Sequence, residues 1–339
     1  MQATFSDDQN LILDTARKMA ANGLAQARAA VNDGIVAAEP TAVLMQSWAG
    51  LGVAEDQGGS GGSLLDLALL LQELATTLTP TPFLSHVLAV QVAAAVGLDV
   101  APALGGQQRW CLAVASNGKD WIVTPPCLRD GRVQGRVAAV VDGDAADLAV
   151  VVCADDQVAL VQPSDRQSGR ATDPLQPAVD LFFNGPVLAT ASGARQALYR
   201  AAALSAAVSC GLAQGAVRLG AAHAADRTQF DRIIATFQAV AHQLADAEVK
   251  AQTAISLMLY ACWAIDNPNE ANARHAVHLA KAAAGDAAIF AGERCIQVHG
   301  GIGMTWEASP HLYLRRALSE ATRLGTSRWH YIQAGRERL

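Results

Sequence analysis

The chain has 339 residues, 51% of them apolar, with 25 basic and 31 acidic side chains and a net charge of −6. It is longer than a usual single core, so two or more packed layers are expected, and it lacks the basic stripe that would release counterions from a nucleic acid. Apolar stretches such as FLSHVLAVQVAAAVGL are broken by polar residues, and the opening MQATFSDDQNLIL is acidic where a secretory signal is positive, which predicts no membrane span and a cytoplasmic protein.

In chain order, Ser6-Asp7-Asp8-Gln9 has the form of a capping box and predicts a helix running towards Ala30. A second helix is expected over Thr41 to Ala49. The glycine-rich loop Gly58 to Gly62 then leads to Ser63, which can cap a helix over Leu64 to Leu78. That loop lacks G-x-G-x-x-G spacing and has no strand before it, so a plain connection is favoured over a phosphate cradle. From Arg109 to about Ala191 the texture is β-rich: WCLAVA, WIVTPP, RVAAVV, LAVVVCA, VALVQP and AVDLFFNG are separated by turn residues. Helical tracts return over Gly193 to Ala225, Ala235 to Ile265 and Glu270 to Val298, rich in Ala and Leu. The expected fold is α+β, mainly α. It has an N-terminal helical domain (1–108), a small middle β domain (109–191) and a C-terminal four-helix bundle (192–339), and strands do not alternate with helices as in a nucleotide-binding doubly wound sheet. The cysteines Cys111, Cys127, Cys153, Cys210, Cys262 and Cys295 have no zinc-site spacing and are expected to be buried free thiols, with no metal site.

Two turns interrupt the C-terminal helices. In DRTQFDRIIATFQAVAHQLAD, Arg227, Gln229 and Phe230 lie on a junction and Gln238 opens the next helix. Arg227 offers a rigid cationic fork for a phosphate, or it makes an ordinary surface ion pair. In CIQVHGGIGMTWE, Gln297 and His299 precede Gly300, Gly301 and Gly303, which either bring backbone close to a ligand or turn a corner.

Together these stretches resemble the acyl-CoA dehydrogenase family. The match comprises GLGVAEDQGGSGGSLLDLALLLQELA (50–75), RTQF with FQAVAHQLAD (227–246), and IQVHGGIGMTWE (296–307) followed by LYLRRA and LGTS. The resemblance implies FAD in a cleft shared by two subunits and oxidation of an acyl-CoA to the 2,3-enoyl-CoA. By analogy Arg227, Gln229, Phe230, Gln238, Gln297, Gly300 and Gly301 meet the FAD of a neighbouring subunit, while Thr326 and Arg328 lie beside the chain's own cofactor.

The chemistry requires a base for the α proton, and a carboxylate whose pKa rises in an apolar cleft suits it. The two positions where the family places that glutamate are Leu324 and Ala201 here, so no catalytic base is expected in this chain. Glu307 is expected to make a structural ion pair with an arginine, and Glu248 to be a solvated or ion-paired helix residue. Between Cys111 and Gly135 the family's T-E-P-x-x-G-S-D type loop is missing, and Asp231 replaces the usual glycine after R-x-Q-F. The resemblance therefore implies a base-less subunit of a heteromeric, α2β2 enzyme. A related subunit would carry the base, electrons would pass to an electron-transfer acceptor, and the substrate would be a bulky acyl-CoA of the kind formed in steroid degradation. A self-sufficient homo-oligomeric enzyme and a non-catalytic scaffold are the alternatives.

Overall fold

The computed structural model describes residues 4–33, 38–116, 121–169, 171–268 and 272–338. The expected helix start at Glu270 and the centre of the 111–135 stretch, 117–120, lie outside them.

The N-terminal region is helical: α1 (Asp7–Ala20), α2 (Gly23–Asp33), α3 (Ala38–Ser47), α4 (Leu64–Thr76), α5 (Phe83–Ala95) and the short α6 (Ala101–Leu104). The capping box at Ser6 is present, with Gln9 as its reciprocal partner, and Ser63 and Asp66 form a second one. The single helix expected up to Ala30 is two, broken at Ala21–Asn22. Gly23 sits against the hydroxyls of Thr77 and Thr79, where an added Cβ would come within 2.2 and 2.5 Å, so the chain bends to pass that point. The helix begun at Leu64 stops at Thr76, before the left-handed Leu78 and the prolines at 80 and 82, and α5 follows as a separate buried helix. In the Gly58–Gly62 loop, a Cβ on Gly59 would lie 2.2 Å from the Val53 carbonyl, so the glycine serves close packing of the loop on itself.

The middle region is a seven-stranded sheet of order β1-β4-β5-β7-β3-β2, with β6 beside β7. Its strands are β1 (Trp110–Ala113), β2 (Cys127–Arg129), β3 (Arg132–Val141), β4 (Leu148–Val152), β5 (Gln157–Val161), β6 (Asp165–Ser168) and β7 (Ala178–Ser192). Only β1 and β4 run parallel. The long β7 pairs with β3 and β6 through its first half and with β5 through its second, so one strand bends the sheet around the core of Val133, Val151, Leu181 and Phe183. WIVTPP, expected as a strand, is irregular: Pro125 and Pro126 have no N–H to give to a ladder.

The C-terminal helices are α7 (Ala194–Asp226), α8 (Gln238–Asp266), α9 (Ala273–His299), α10 (Pro310–Thr322) and α11 (Ser327–Arg336). A two-stranded hairpin, β8 (Thr228–Gln229) with β9 (Arg232–Ile233), stands between α7 and α8. α7 is long and apolar enough to cross a membrane by composition, yet 83% of its most apolar window is buried, because it is the central helix of the bundle. Its small residues let neighbours approach. Gly211 and Gly215, one turn apart, face α4, and a Cβ on them would lie 2.0 Å from the Gln72 carbonyl and 2.1 Å from that of Thr76. The Thr76 carbonyl also accepts a 2.6 Å hydrogen bond from Tyr313 of α10, which ties three helices at one point. All six cysteines are free; five are buried, and Cys127 is exposed, contrary to expectation, because β2 is the edge strand.

Substituting Gly215→Ala inserts a methyl where none fits. We expect it to destabilise the fold by about 2 kcal/mol, seen as a lower urea midpoint, while the exposed Gly335→Ala leaves the midpoint unchanged or raises it slightly.

Candidate functional site

α7 ends at Asp226, and Arg227 turns extended (φ −75°, ψ 124°), sending the chain into the β8–β9 hairpin. The two residues at its tip, Phe230 (φ 53°) and Asp231 (φ 60°), are both left-handed, which is a type I′ turn. Glycine is the least costly residue there, and Asp is among the few others that tolerate it, so Asp231 keeps the turn's shape. Phe230 is held out, 88% exposed. The hairpin's base is fixed by the Ile234 amide donating 2.8 Å to the Arg227 carbonyl and by the Arg232 guanidinium 4.0 Å over the Phe237 ring.

The end of α9 lies alongside. Ile234, Ala224 and Val298 pack together, and His223 stacks on His299 with ring centroids 4.0 Å apart. One end of the bundle therefore gathers Arg227, Gln229, Phe230, Gln238, Gln297, Gly300 and Gly301, all exposed. Among the described residues, the side chains of Arg227, Gln238 and Gln297 have no hydrogen-bond partner, while Gln229 donates 2.7 Å to the Thr228 carbonyl. A Cβ on Gly300 or Gly301 would meet nothing within 4 Å, so their backbone is open to an outside group. A cation, amides and bare backbone without internal partners fit a phosphate-bearing cofactor presented from another molecule.

A second feature lies between the sheet and α10. A cavity of about 630 Å³ is lined by α5 (Ser85, Leu88), β1 (Leu112, Val114), β3 (138–141), the 171–178 segment and residues 318–326. Leu324 and Thr326 line it; Arg328 is exposed on α11. Thr326 caps α11, its hydroxyl oxygen accepting from the Trp329 amide. The β3 wall, Ala138, Ala139, Val140 and Val141, offers no polar side chain. Leu324 is buried and left-handed (φ 57°), followed by Gly325 at φ 104°. Ala201 does not reach the cavity. It is fully buried in α7 with Ala202 and Ala203, which are helix-packing residues and not the walls of a roomy pocket. Neither expected base position carries a proton acceptor.

Behind Leu324 is a buried polar network. Glu320, fully buried one turn earlier on α10, accepts a 3.1 Å hydrogen bond from Ser205 and lies 3.6 Å from Arg323. Lys281 donates 2.7 Å to the Glu320 carbonyl, and burial pushes its ammonium down to about 8 despite the nearby carboxylate. His330 Nε2 lies 2.9 Å from the Leu324 carbonyl, which can only accept, so that nitrogen carries the proton. Burial holds this ring neutral, its pKa lowered to about 2, which leaves Nδ1 as an acceptor. His278 Nδ1, 2.8 Å away, must then be the donor. Trp121, Tyr199 and Trp329 pack around the pair.

Glu307 is exposed and makes no ion pair among the described residues: its stretch is carried outward, with Arg28 bound to the Trp306 carbonyl and Arg315 stacked on the Trp306 ring. Glu248 accepts from Gln252 on its own helix. The network residues Ser205, His278, Lys281, Glu320 and Arg323 were missed in the sequence. The lone lysine in HLAKAAAGDAAIF was its one clue, and any lysine in a helix reads first as a solvated residue. Among the described residues no cluster of metal-binding side chains occurs.

Residues 6–118 match the acyl-CoA dehydrogenase N-terminal domain and residues 192–338 the acyl-CoA dehydrogenase C-terminal domain. Acyl-CoA dehydrogenase IpdE2 of Mycobacterium tuberculosis is 32% identical over 83% of this chain and 80% of its own length. Acyl-CoA dehydrogenase FadE34 of the same organism is 33% identical over 97% of this chain, which spans 48% of that protein. Among solved structures, butyryl-CoA dehydrogenase from Megasphaera elsdenii superposes with a TM-score of 0.86 at 18% identity, covering 99% of both chains. A chain of the ChsE4-ChsE5 complex from Mycobacterium tuberculosis gives 0.87 at 21% identity, covering 99% of this chain and 98% of that one. At these identities the two structures speak for the fold alone.

Buried histidines set the acid response, His311 being lowered by burial along with three others. His330, His278 and His86 have pKa values pushed by burial to about 2, 4 and 4, below the ordinary 6.5. The unfolded chain therefore takes up these protons first, and stability present above pH 6.5 is lost as pH falls towards 4. Asp142 opposes them: burial raises its carboxyl to about 6, so its contribution weakens as pH rises through that value. Asp266, also raised by burial, acts with Asp142, but the lowered histidines outnumber these carboxylates, and the thermal midpoint should fall from pH 7 to pH 5. His330→Gln, which keeps a donor for Leu324, should flatten that fall by about 2 kcal/mol.

Proposed function

The chain belongs to the acyl-CoA dehydrogenase family, and from that premise we propose that it is the base-less subunit of a heteromeric enzyme. In this reading a related subunit supplies the catalytic glutamate and most of the flavin site, in a cytoplasmic α2β2 assembly. The observation that carries it is a division within one chain. Leu324 and Ala201 cannot accept a proton, while Arg227, Gln238 and Gln297, on the surface that fits a neighbour's cofactor, have no side-chain hydrogen-bond partner among the described residues.

The cofactor is FAD, which when bound supplies the acceptor for the hydride leaving the β carbon. Arg227 would hold its phosphate oxygens, with Gln238 and Gln297 offering amide groups and Gly300 and Gly301 bare backbone. Phe230, fixed outward by the hairpin turn, would cover apolar cofactor surface and exclude water. Thr326 stands on the wall of this chain's own cavity, where the β3 face gives a flavin no polar side chain. That asymmetry supports a site completed on the partner. The substrate we propose is a bulky polycyclic acyl-CoA whose electrons pass from the flavin to an electron-transfer acceptor.

Expression of the chain alone and together with a neighbouring dehydrogenase-like reading frame tests this by flavin absorbance and mass. The lone chain should be colourless and the pair should co-purify with FAD; a yellow, active homotetramer of this chain would sink the reading. Arg227→Ala with Gln297→Ala should strip most FAD from the complex while leaving the subunits associated. Unchanged FAD content would instead identify a scaffold that serves no flavin.

A further inference from the structure

We propose that His223, stacked on His299 beside Arg227, is a proton-linked contact for the cofactor's diphosphate, so that FAD docking on this surface takes up one proton from solvent. The proposal deepens the reading above and rests on it: the bundle end must receive a neighbour's FAD.

The first support is position. His223 lies one turn before Arg227, in the last turn of α7, and its carbonyl accepts 3.0 Å from the Arg227 amide. His299 is the last residue of α9, directly before Gly300 and Gly301, where an added Cβ would meet nothing within 4 Å. The stack, with ring centroids 4.0 Å apart and planes at 20°, thus joins the cation to the bare backbone. Both rings sit at helix C-termini, where the dipole favours a positive charge. The second support is an open hydrogen-bonding position. His299 Nδ1 lies 2.8 Å from the Cys295 carbonyl, which can only accept, so that nitrogen is a donor and the ring is tied down. Among the described residues no hydrogen bond reaches either ring nitrogen of the half-buried His223.

The charges around His223 decide when its ring takes a proton. Partial burial holds it below the ordinary 6.5, His299 and Arg227 add to this, and Asp226 acts the other way. No charge from the hairpin or α8 acts on the ring: Arg232 is turned onto Phe237. On α9, Arg294 is turned onto Phe290 and Gln243, and burial pushes the Cys295 thiol up to about 12, so it stays uncharged. The empty surface is therefore neutral at His223 at pH 7. A diphosphate held by Arg227 brings negative charge to the same place, outweighs that cation and favours the imidazolium. Like-charge repulsion from a second imidazolium 4.0 Å away limits the uptake to one proton.

Calorimetric titration of FAD into the FAD-stripped complex with the dehydrogenase-like partner, in Pipes and in Tris, tests the proposal. The flavin, adenine and diphosphate of FAD do not titrate between pH 6 and pH 8, so proton exchange in that range belongs to the protein. At pH 7 the binding enthalpy should differ between the two buffers in the sense of proton uptake, and FAD affinity should rise about fivefold from pH 8 to pH 6. His223→Gln should abolish both effects, while His299→Phe, which keeps a stacked ring, should retain them. Equal enthalpies in the two buffers with an affinity unmoved by pH, or proton uptake that survives His223→Gln, would overturn the proposal. The buffer comparison uses the native complex, so it decides even where a variant fails to fold. A complex that binds FAD without taking up protons overturns this proposal alone, whereas flavin absorbance in the lone, active chain overturns the heteromer reading with it.

Discussion

The close approach of α7 to α4, glycine against carbonyl at Gly211 and Gly215, sets the spacing on which the rest of the molecule depends. Because α7 runs the length of the bundle, that spacing is passed to both of its ends. One end delivers Arg227 and the hairpin to the surface beside α9. Towards the other, Ala201 and Ser205 face the core, where Ser205 meets Glu320. Small residues give α7 little side-chain entropy to lose and no bulk to misplace. Its position is therefore determined by backbone contacts, which are stiffer than the interdigitation of long side chains.

The two surfaces that α7 connects are chemically unlike. The bundle end is polar, open and pre-shaped, with a hairpin whose left-handed tip is already fixed without a ligand. The cavity side is a recess backed by charges that compensate one another around Glu320. Burying Lys281 and Glu320 would be costly for either alone; together with Ser205 and Arg323 they are held at the junction of α7, α9 and α10. His330 links this junction to the backbone of Leu324, so a strained turn is kept by a hydrogen bond from a ring that burial holds neutral.

Much of the fold was legible because it rests on local signals: capping residues at Ser6 and Ser63, β-branched runs between turns, and Ala-rich tracts without breakers. The failures are tertiary. Nothing near Asn22 says that Thr77 and Thr79 will stand in the way, and WIVTPP has the apolar composition of a strand but two prolines that cannot join one. The surface residues that gather at the bundle end stood out only through the family resemblance, since Arg227 by itself also reads as a surface ion pair and the glycines as a corner. The network behind Leu324 was not legible, because its members lie on four segments and each has an ordinary reading by itself. Glu307 shows the converse: a family habit suggested an ion pair that the local course of the chain does not make.

Arg323 also bears on how the missing carboxylate could be regained. A glutamate at 324 would enter the same cavity, with its carbonyl already held by His330, so shape alone would admit it. But the guanidinium one residue away would keep that glutamate ionised and lower its proton affinity, the reverse of what a base at this step needs. Restoring the chemistry would take two coordinated changes, the first of which brings no gain. In the proposed heteromer, charge at Arg323 would guard the division of labour, since a glutamate at 324 alone would not make this chain self-sufficient.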